Sequence, residues 1–337
     1  MATILYHEEV IQAALRRWLD SPPDGSQAAQ AMELLLSRTA QVPLTHLDRW
    51  ELMIRGELDA AERRAQTSGW QVWRKPARFA SWMDLCSHSG FERERFLRAV
   101  SGGAPNRFFF VLALRRLNDW VPQVRAAARA RLPDLASHMA TEHVVDAIWV
   151  SFPLSASWGR MEAADRAVLV GLLDIQEVAM ALKSRIVSST SGPVCSVLRQ
   201  AGRTSALDPW LAEIARTAVM PAVRARACRC LLEARMTWTA GRKWVWTDLK
   251  WCKGRFEPVV EQRLLSVTRE LGVQVEQASR DPSPLVRRVA GEMLIRHLDS
   301  VGREAASIAR RLAADASPSV AERGRFALGR LGAVATP

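Results

Sequence analysis

The chain has 337 residues, 48% apolar and 24% charged, a balance that excludes disorder over its whole length and suits a folded soluble protein. Its formal charge is +12, from 47 basic and 35 acidic side chains, but the excess is spread along the chain and is dense only at 236–263, and a diffuse excess attracts polyanions only weakly. The longest apolar runs are short, such as FFFVLAL at 108–114, against the roughly 20 residues of a membrane-spanning helix, so no membrane partner is expected.

The first residues place His7, Glu8 and Glu9 where a signal peptide needs its apolar run, so a cytoplasmic protein is expected. Residues 1–84 read as an N-terminal helical region, with helical spacing in IQAALRRWL and AMELLLSR. Near its end WQVWRKPARFASW, residues 70–82, joins Trp70 and Trp73 to Arg74, Lys75 and Arg78. A helix junction near Pro76 accounts for it, and a basic aromatic patch is the second reading.

From about residue 85 a pattern recurs: Asp, Pro three later, Val at five, Arg at six, a small residue at nine and Leu at thirteen. DWVPQVRAAARARL at 119–132 and DPSPLVRRVAGEML at 281–294 carry every position. AVMPAVRARACRCL at 218–231 has Ala218 for Asp, and DASPSVAERGRFAL at 315–328 has Ala321 for Arg. Pro pre-sets the first helical turn, where its missing N–H costs nothing. Val, the small residue and Leu share one helix face, and the small residue admits a neighbouring helix. The Asp is expected to cap free N–H groups at the helix start, and the Arg to reach the Asp of its own or the next unit.

Each of these segments follows another helical one, so the repeating unit is a helix pair. The third and fourth units lie 34 residues apart. The first and second lie 99 apart, about three periods, so two degenerate units are expected between them, with another upstream in SHSGFERERFLRAVSGG. The pattern resembles HEAT-like repeats, as found in bacterial α-solenoid proteins, over about residues 85–334. That resemblance implies an all-α solenoid of stacked helix pairs that presents a concave surface to protein or nucleic acid, and seldom an enzyme.

The second and third units lie 63 residues apart, about 29 more than one period, and the surplus falls at 236–263. This insertion contains RKWVWTDLKWCKGR, residues 242–255, with three of the thirteen tryptophans and five basic residues. It alternates rather than keeping a helical period. Lys243, Val245, Thr247 and Leu249 fall on one side of a strand, and Trp244, Trp246, Asp248 and Lys250 on the other. CKGR reads as the turn and FEPVVE as the returning strand, giving a β-hairpin or loop inserted into the helical array. The expected organisation is therefore 1–84, repeats 85–235, insertion 236–263 and repeats 264–337.

Arg242, Lys243, Trp244, Trp246, Lys250, Trp251, Lys253 and Arg255 are the candidate partner-binding residues. Indoles anchor protein hot spots and stack on bases, while guanidinium and ammonium groups meet carboxylates or phosphates. Against this stands a purely structural role, with the tryptophans folded down on neighbouring helices. Catalytic motifs are absent: there is no nucleophile elbow, phosphate loop, His-x-x-x-His or Cys-x-x-Cys. Cys228 and Cys230 are two apart on a predicted helix, and His138 and His143 are five apart, so neither pair suits a metal. No cofactor is expected.

Three function classes remain. The leading expectation is a non-enzymatic scaffold holding a protein partner through its concave face and the insertion. The alternative is a nucleic-acid-binding array whose arginines hold backbone phosphate. The third, an alkylated-base DNA glycosylase, follows from a looser likeness to HEAT-like glycosylases that use Trp and Asp. Its candidates are Trp120 with Asp119, Trp158 with Asp165, and Trp210 with Asp208.

Overall fold

The computed structural model describes residues 2–21, 26–67, 81–268 and 270–334. Trp70, Trp73, Arg74, Lys75 and Arg78 of the first aromatic stretch lie outside them. The described residues are mostly helical, with one two-stranded sheet, in agreement with the expected all-α class and the inserted hairpin. The chain divides into two compact units, Met1–Val178 and Ala179–Pro337, and the division falls within the helix Gln176–Ser188.

In the first unit the helix Arg107–Arg115 is apolar on every side, and Phe108 to Leu114 are all buried, which marks it as the innermost element. Asn106 caps it: its Oδ1 accepts from the N–H groups of Phe108 and Phe109 at 3.0 and 3.2 Å. The same side chain donates to the Leu36 carbonyl and to Thr39 Oγ1, tying the cap to the helix Ser26–Ala40. The second unit builds its core from Val286, Val289, Ala290, Met293 and Leu294 of Pro284–Arg296, against Ile308 and Leu312 of Ala305–Ala313 and Val320 and Ala327 of Pro318–Val334.

The repeated segments fold alike. Pro122, Pro221, Pro284 and Pro318 each begin a helix. Val124, Val223, Val286 and Val320 are buried, as are Ala128, Ala227 and Ala290 at the small-residue position. In the fourth segment that position is Gly324, where a Cβ would lie 2.1 Å from the Ala313 backbone nitrogen, so two helices touch backbone to backbone. The Asp does something other than cap the helix. Asp119, Asp281 and Asp315 each accept from the N–H two residues on (Val121, Ser283 and Ser317), at 3.0, 2.7 and 2.8 Å, inside the turn. The Asp stands three residues before the Pro that opens the helix, so its carboxylate shapes the approach to the helix instead.

The Arg ties consecutive turns together. Arg93 donates twice to Asp119 at 2.8 Å and also to the Ser87 and His88 carbonyls. Arg224 donates to Asp281 at 2.9 and 3.0 Å and to the Ala218 and Val219 carbonyls. Arg287 donates to Asp315, to the Asp281 carbonyl at 2.9 Å and to the Pro282 carbonyl at 2.8 Å. Arg125 keeps the link to its own turn, donating to the Asp119 carbonyl, but reaches Glu162 and lies 3.6 Å from Asp165 across a degenerate segment. Each guanidinium thus closes its own turn with one edge and grips the following one with the other, which its planar fork allows and an ammonium would not. The Arg287 bond holds the Asp315 carboxyl below the ordinary range despite partial burial.

Candidate functional site

The insertion forms an antiparallel hairpin: β1, Arg235–Asp248, and β2, Lys253–Leu264. It is longer than the alternation alone marks, and its turn lies elsewhere. Leu249, Lys250, Trp251 and Cys252 make the turn, while Lys253, Gly254 and Arg255 belong to β2. Asp248 fixes this register by accepting from the Trp251 N–H at 3.2 Å, and Cys252 takes the positive φ of +49° that closes the turn. Gly254 serves a different need. A Cβ there would lie 2.5 Å from the Trp244 ring, so the glycine gives the indole a place to lie across the strand.

The base of the hairpin is anchored in the second unit. Met236 is buried, with its thioether against Gly202, where a Cβ would come within 2.9 Å. Arg263 donates to both oxygens of the buried Asp208 at 2.8 and 2.7 Å, and to the carbonyls of Gly202 and Thr204. Asp208 also accepts from the Ser266 N–H and hydroxyl at 2.8 and 3.0 Å. Arg226 holds the Thr237 carbonyl and hydroxyl, and Leu265 donates to the Ala234 carbonyl. Above them Arg203 stacks over Trp238 at 5.1 Å, and Trp238 Nε1 donates to Glu261.

Beyond this base the strands leave the helices. Trp244 pairs across the ladder with Phe256, and Trp246 with Gly254, so Arg242, Trp244, Trp246, Phe256 and Pro258 share one face. Trp244 meets Trp246 at 5.5 Å and Phe256 at 5.0 Å between ring centroids, both edge to face. The rings pack on one another rather than on neighbouring helices: Trp246 is 52% and Phe256 63% exposed. In this distal half the tryptophans are therefore not folded down on neighbouring helices. Lys243 and Arg255 lie on the opposite face, where Arg255 is bound to Glu257 at 2.9 and 3.0 Å. Lys250, Trp251 and Lys253 gather at the tip, with the Lys250 ammonium 5.7 Å from the Trp251 ring. A register shift between Trp246 and Asp248 breaks the alternation, so Leu249 and Lys250 are turn residues and not strand residues.

Arg242, Lys243, Lys250 and Lys253 form no ion pair with a described residue. Residues 242–257 carry five basic and two acidic side chains, and one of the five is already paired. The finger therefore carries an exposed aromatic cluster with Arg242 on the same face, Lys243 on the other, and Lys250 and Lys253 at the tip, above a base anchored by Arg263 and Asp208. Phe256 escaped the motif reading because its partner is across the strand; counting back from the true turn pairs it with Trp244. The Arg263–Asp208 root joins residues 55 apart and has no local signal.

The carboxylates considered for catalysis are otherwise engaged. Asp119 is held by Arg93, Arg116 and the Val121 N–H. Asp165 accepts from Arg129 at 2.6 Å and the Glu162 N–H at 2.8 Å, and Asp208 roots the hairpin. No described helix is long and apolar enough to cross a membrane. No family model matches this chain, and no curated protein or solved structure matches it either.

Proposed function

We propose that this chain is a HEAT-like α-solenoid that holds a protein partner without catalysing a reaction, and that the hairpin is its docking element. The observation that carries the reading is the exposed Trp244, Trp246 and Phe256 cluster on a hairpin rooted through Arg263 and Asp208. Large rings held in place lose little freedom on binding, and clustered aromatic and basic side chains are the composition of protein hot spots. The solenoid reading is supported by the arginine links from one turn to a following one, which Arg93, Arg224 and Arg287 make alike to Asp119, Asp281 and Asp315.

Protein is favoured over nucleic acid because the repeat arginines are spent within the fold. Arg93, Arg125, Arg224 and Arg287 hold carboxylates and turn carbonyls, so an extended phosphate track would have to break those bonds. The four uncommitted cations of the hairpin favour the second reading, a short stretch of nucleic acid stacked on the indoles. A titration of the purified chain against single- and double-stranded DNA at about 50 and about 200 mM salt separates the two. No binding at low salt, together with a partner captured from extract by the chain and lost in the W244A/W246A/W251A variant, supports protein docking. Binding that falls steeply with salt and is lost in a folded variant overturns it in favour of nucleic acid.

A further inference from the structure

The first unit holds a cavity of about 160 Å³ whose walls are rich in guanidinium groups: Arg55, Arg115, Arg116 and Arg160. Two carboxylates, Glu51 and Asp119, line it with them, and Trp120 and Trp158 complete it. Arg93 stands behind the wall on Asp119, bringing the guanidiniums to five. Among the described residues one further acid is ion-paired with this group, the exposed Asp48 beside Arg115. Five positive groups therefore share three negative ones, and two of the five, Arg93 and Arg116, are buried.

Charge left unbalanced in a partly shielded cavity favours capture of an anion, since the guanidiniums of Arg55, Arg93, Arg115 and Arg116 have lost solvent that the carboxylates replace only in part. Glu51 records the imbalance. Burial pushes its carboxyl up, yet Arg116, Arg115 and Arg55 together hold it below the ordinary range, so it is not the group that takes up the excess. The cations are unequally committed. Arg116 donates to the Leu112 carbonyl, Asp119 and Glu51. Arg55 uses Nε on the Cys86 carbonyl and one terminal nitrogen on Glu51, leaving the other terminal nitrogen without a described partner. Arg115 Nε sits 3.1 Å from Glu51 Oε2 as an ion pair outside hydrogen-bond geometry. Arg160 is held by its backbone, which donates to Asn118 Oδ1 at 2.9 Å, while its guanidinium makes no bond with a described residue.

The cavity's size suits one oxyanion and a small ring, since a cavity of about 150 Å³ accommodates benzene. Trp120 is 66% exposed and Trp158 half-buried, giving flat apolar surface beside the guanidiniums. A cationic ligand, including an alkylated base, has the wrong charge for these walls.

We infer that this cavity binds an oxyanion carried on a flat ring, an aryl phosphate or aryl carboxylate. The oxyanion meets Arg55, Arg115 and Arg160, and the ring lies against Trp120 and Trp158. The inference is independent of the hairpin and of what the hairpin docks.

Calorimetric titrations of the full chain with phenyl phosphate, benzoate and inorganic phosphate at matched ionic strength test it. A phenyl-bearing oxyanion is expected to bind saturably, and more tightly than inorganic phosphate. Whichever of phenyl phosphate and benzoate binds better names the oxyanion. Arg160→Ala, which removes no side-chain hydrogen bond or ion pair with a described residue, is expected to weaken binding about tenfold. Trp158→Leu is expected to erase the advantage over inorganic phosphate while leaving inorganic phosphate unaffected. Absence of saturable binding by all three probes overturns the inference. So does equal affinity for phenyl phosphate and inorganic phosphate, or an Arg160→Ala variant, folded by circular dichroism, that binds as the parent does.

Discussion

Asp208→Asn tests whether the hairpin is rooted as described. The substitution keeps the shape of the side chain but removes the charge that Arg263 grips with two bonds, and it replaces an acceptor oxygen by a donor amide. At most one oxygen remains to serve Arg263 and the Ser266 N–H and hydroxyl together. Removing one partner of a buried pair costs about 3–5 kcal/mol. Arg263 is 20% exposed on its side chain and keeps the Gly202 and Thr204 carbonyls, so a cost at or below the lower limit of that range, about 2–3 kcal/mol, is expected. Against a total stability of about 5–15 kcal/mol the chain stays folded and the hairpin opens more often. Hydrogen exchange read on peptides covering 235–248 and 253–264 should speed up by about 30–150-fold, since each 1.36 kcal/mol is tenfold. Peptides from the helix Arg107–Arg115 in the other unit should be unchanged. A rise below about threefold, with Asp208→Asn confirmed, would refute the anchoring argument.

Two glycines of one helix predict opposite signs. Gly324→Ala drives a methyl to within 2.1 Å of backbone in the helix Ala305–Ala313 and should cost about 1–3 kcal/mol or more, whereas Gly329, with nothing within 4 Å of its Cβ position, should gain up to about 1 kcal/mol as Ala. Urea denaturation of both variants decides, and equal shifts would sink the close-approach reading. Gly254→Ala should dislodge the Trp244 ring from Phe256 and Trp246 and reduce the near-ultraviolet circular dichroism of the coupled indoles, at about 1 kcal/mol or less in stability; an unaltered spectrum contradicts the packing. Asp84 is pushed up to about 6, first by burial and then by Glu92, against the Ser81 N–H bond and Arg95. A folded value above the unfolded one means stability falls as pH rises from about 4 through 6 and is level above. Asp84→Asn should therefore raise the stability read by urea denaturation at pH 8 by more than at pH 5, by about 1 kcal/mol after screening by solvent, and equal gains at the two pH values would exclude the mechanism.

Part of this molecule is local and was legible in the sequence. Pro at the first helical position, apolar residues on one face and a small residue between them act over a single turn or two, so four segments could be aligned and their helix starts read directly. The hairpin was legible for the same reason, because a period of two over Lys243 to Asp248 cannot be helical. The turn was misplaced because glycine signals both a tight bend and a close approach. Gly254 answers to the Trp244 ring above it, while Cys252, held by the Asp248 turn, takes the positive φ.

Distance along the chain governs the remainder. The repeat arginines were expected to find the Asp of their own or the next unit, and both ends of that choice are used: the backbone of their own turn and the carboxylate of the next, 26 to 57 residues away where the partner is Asp119, Asp281 or Asp315. Asp208 carried no signal distinguishing a catalytic carboxylate from a root for Arg263. The cationic cavity has even less of one, since Arg55, Arg115 and Arg160 come from three separate helical segments and loops. By itself the sequence determined which segments are helical, where the repeat breaks and that the break is a strand pair. Only the tertiary structure decided which carboxylates are consumed by arginine and which cations remain open. Ion pairing is settled by three-dimensional proximity and burial, whereas helix and strand patterns are settled by neighbours one or two turns away.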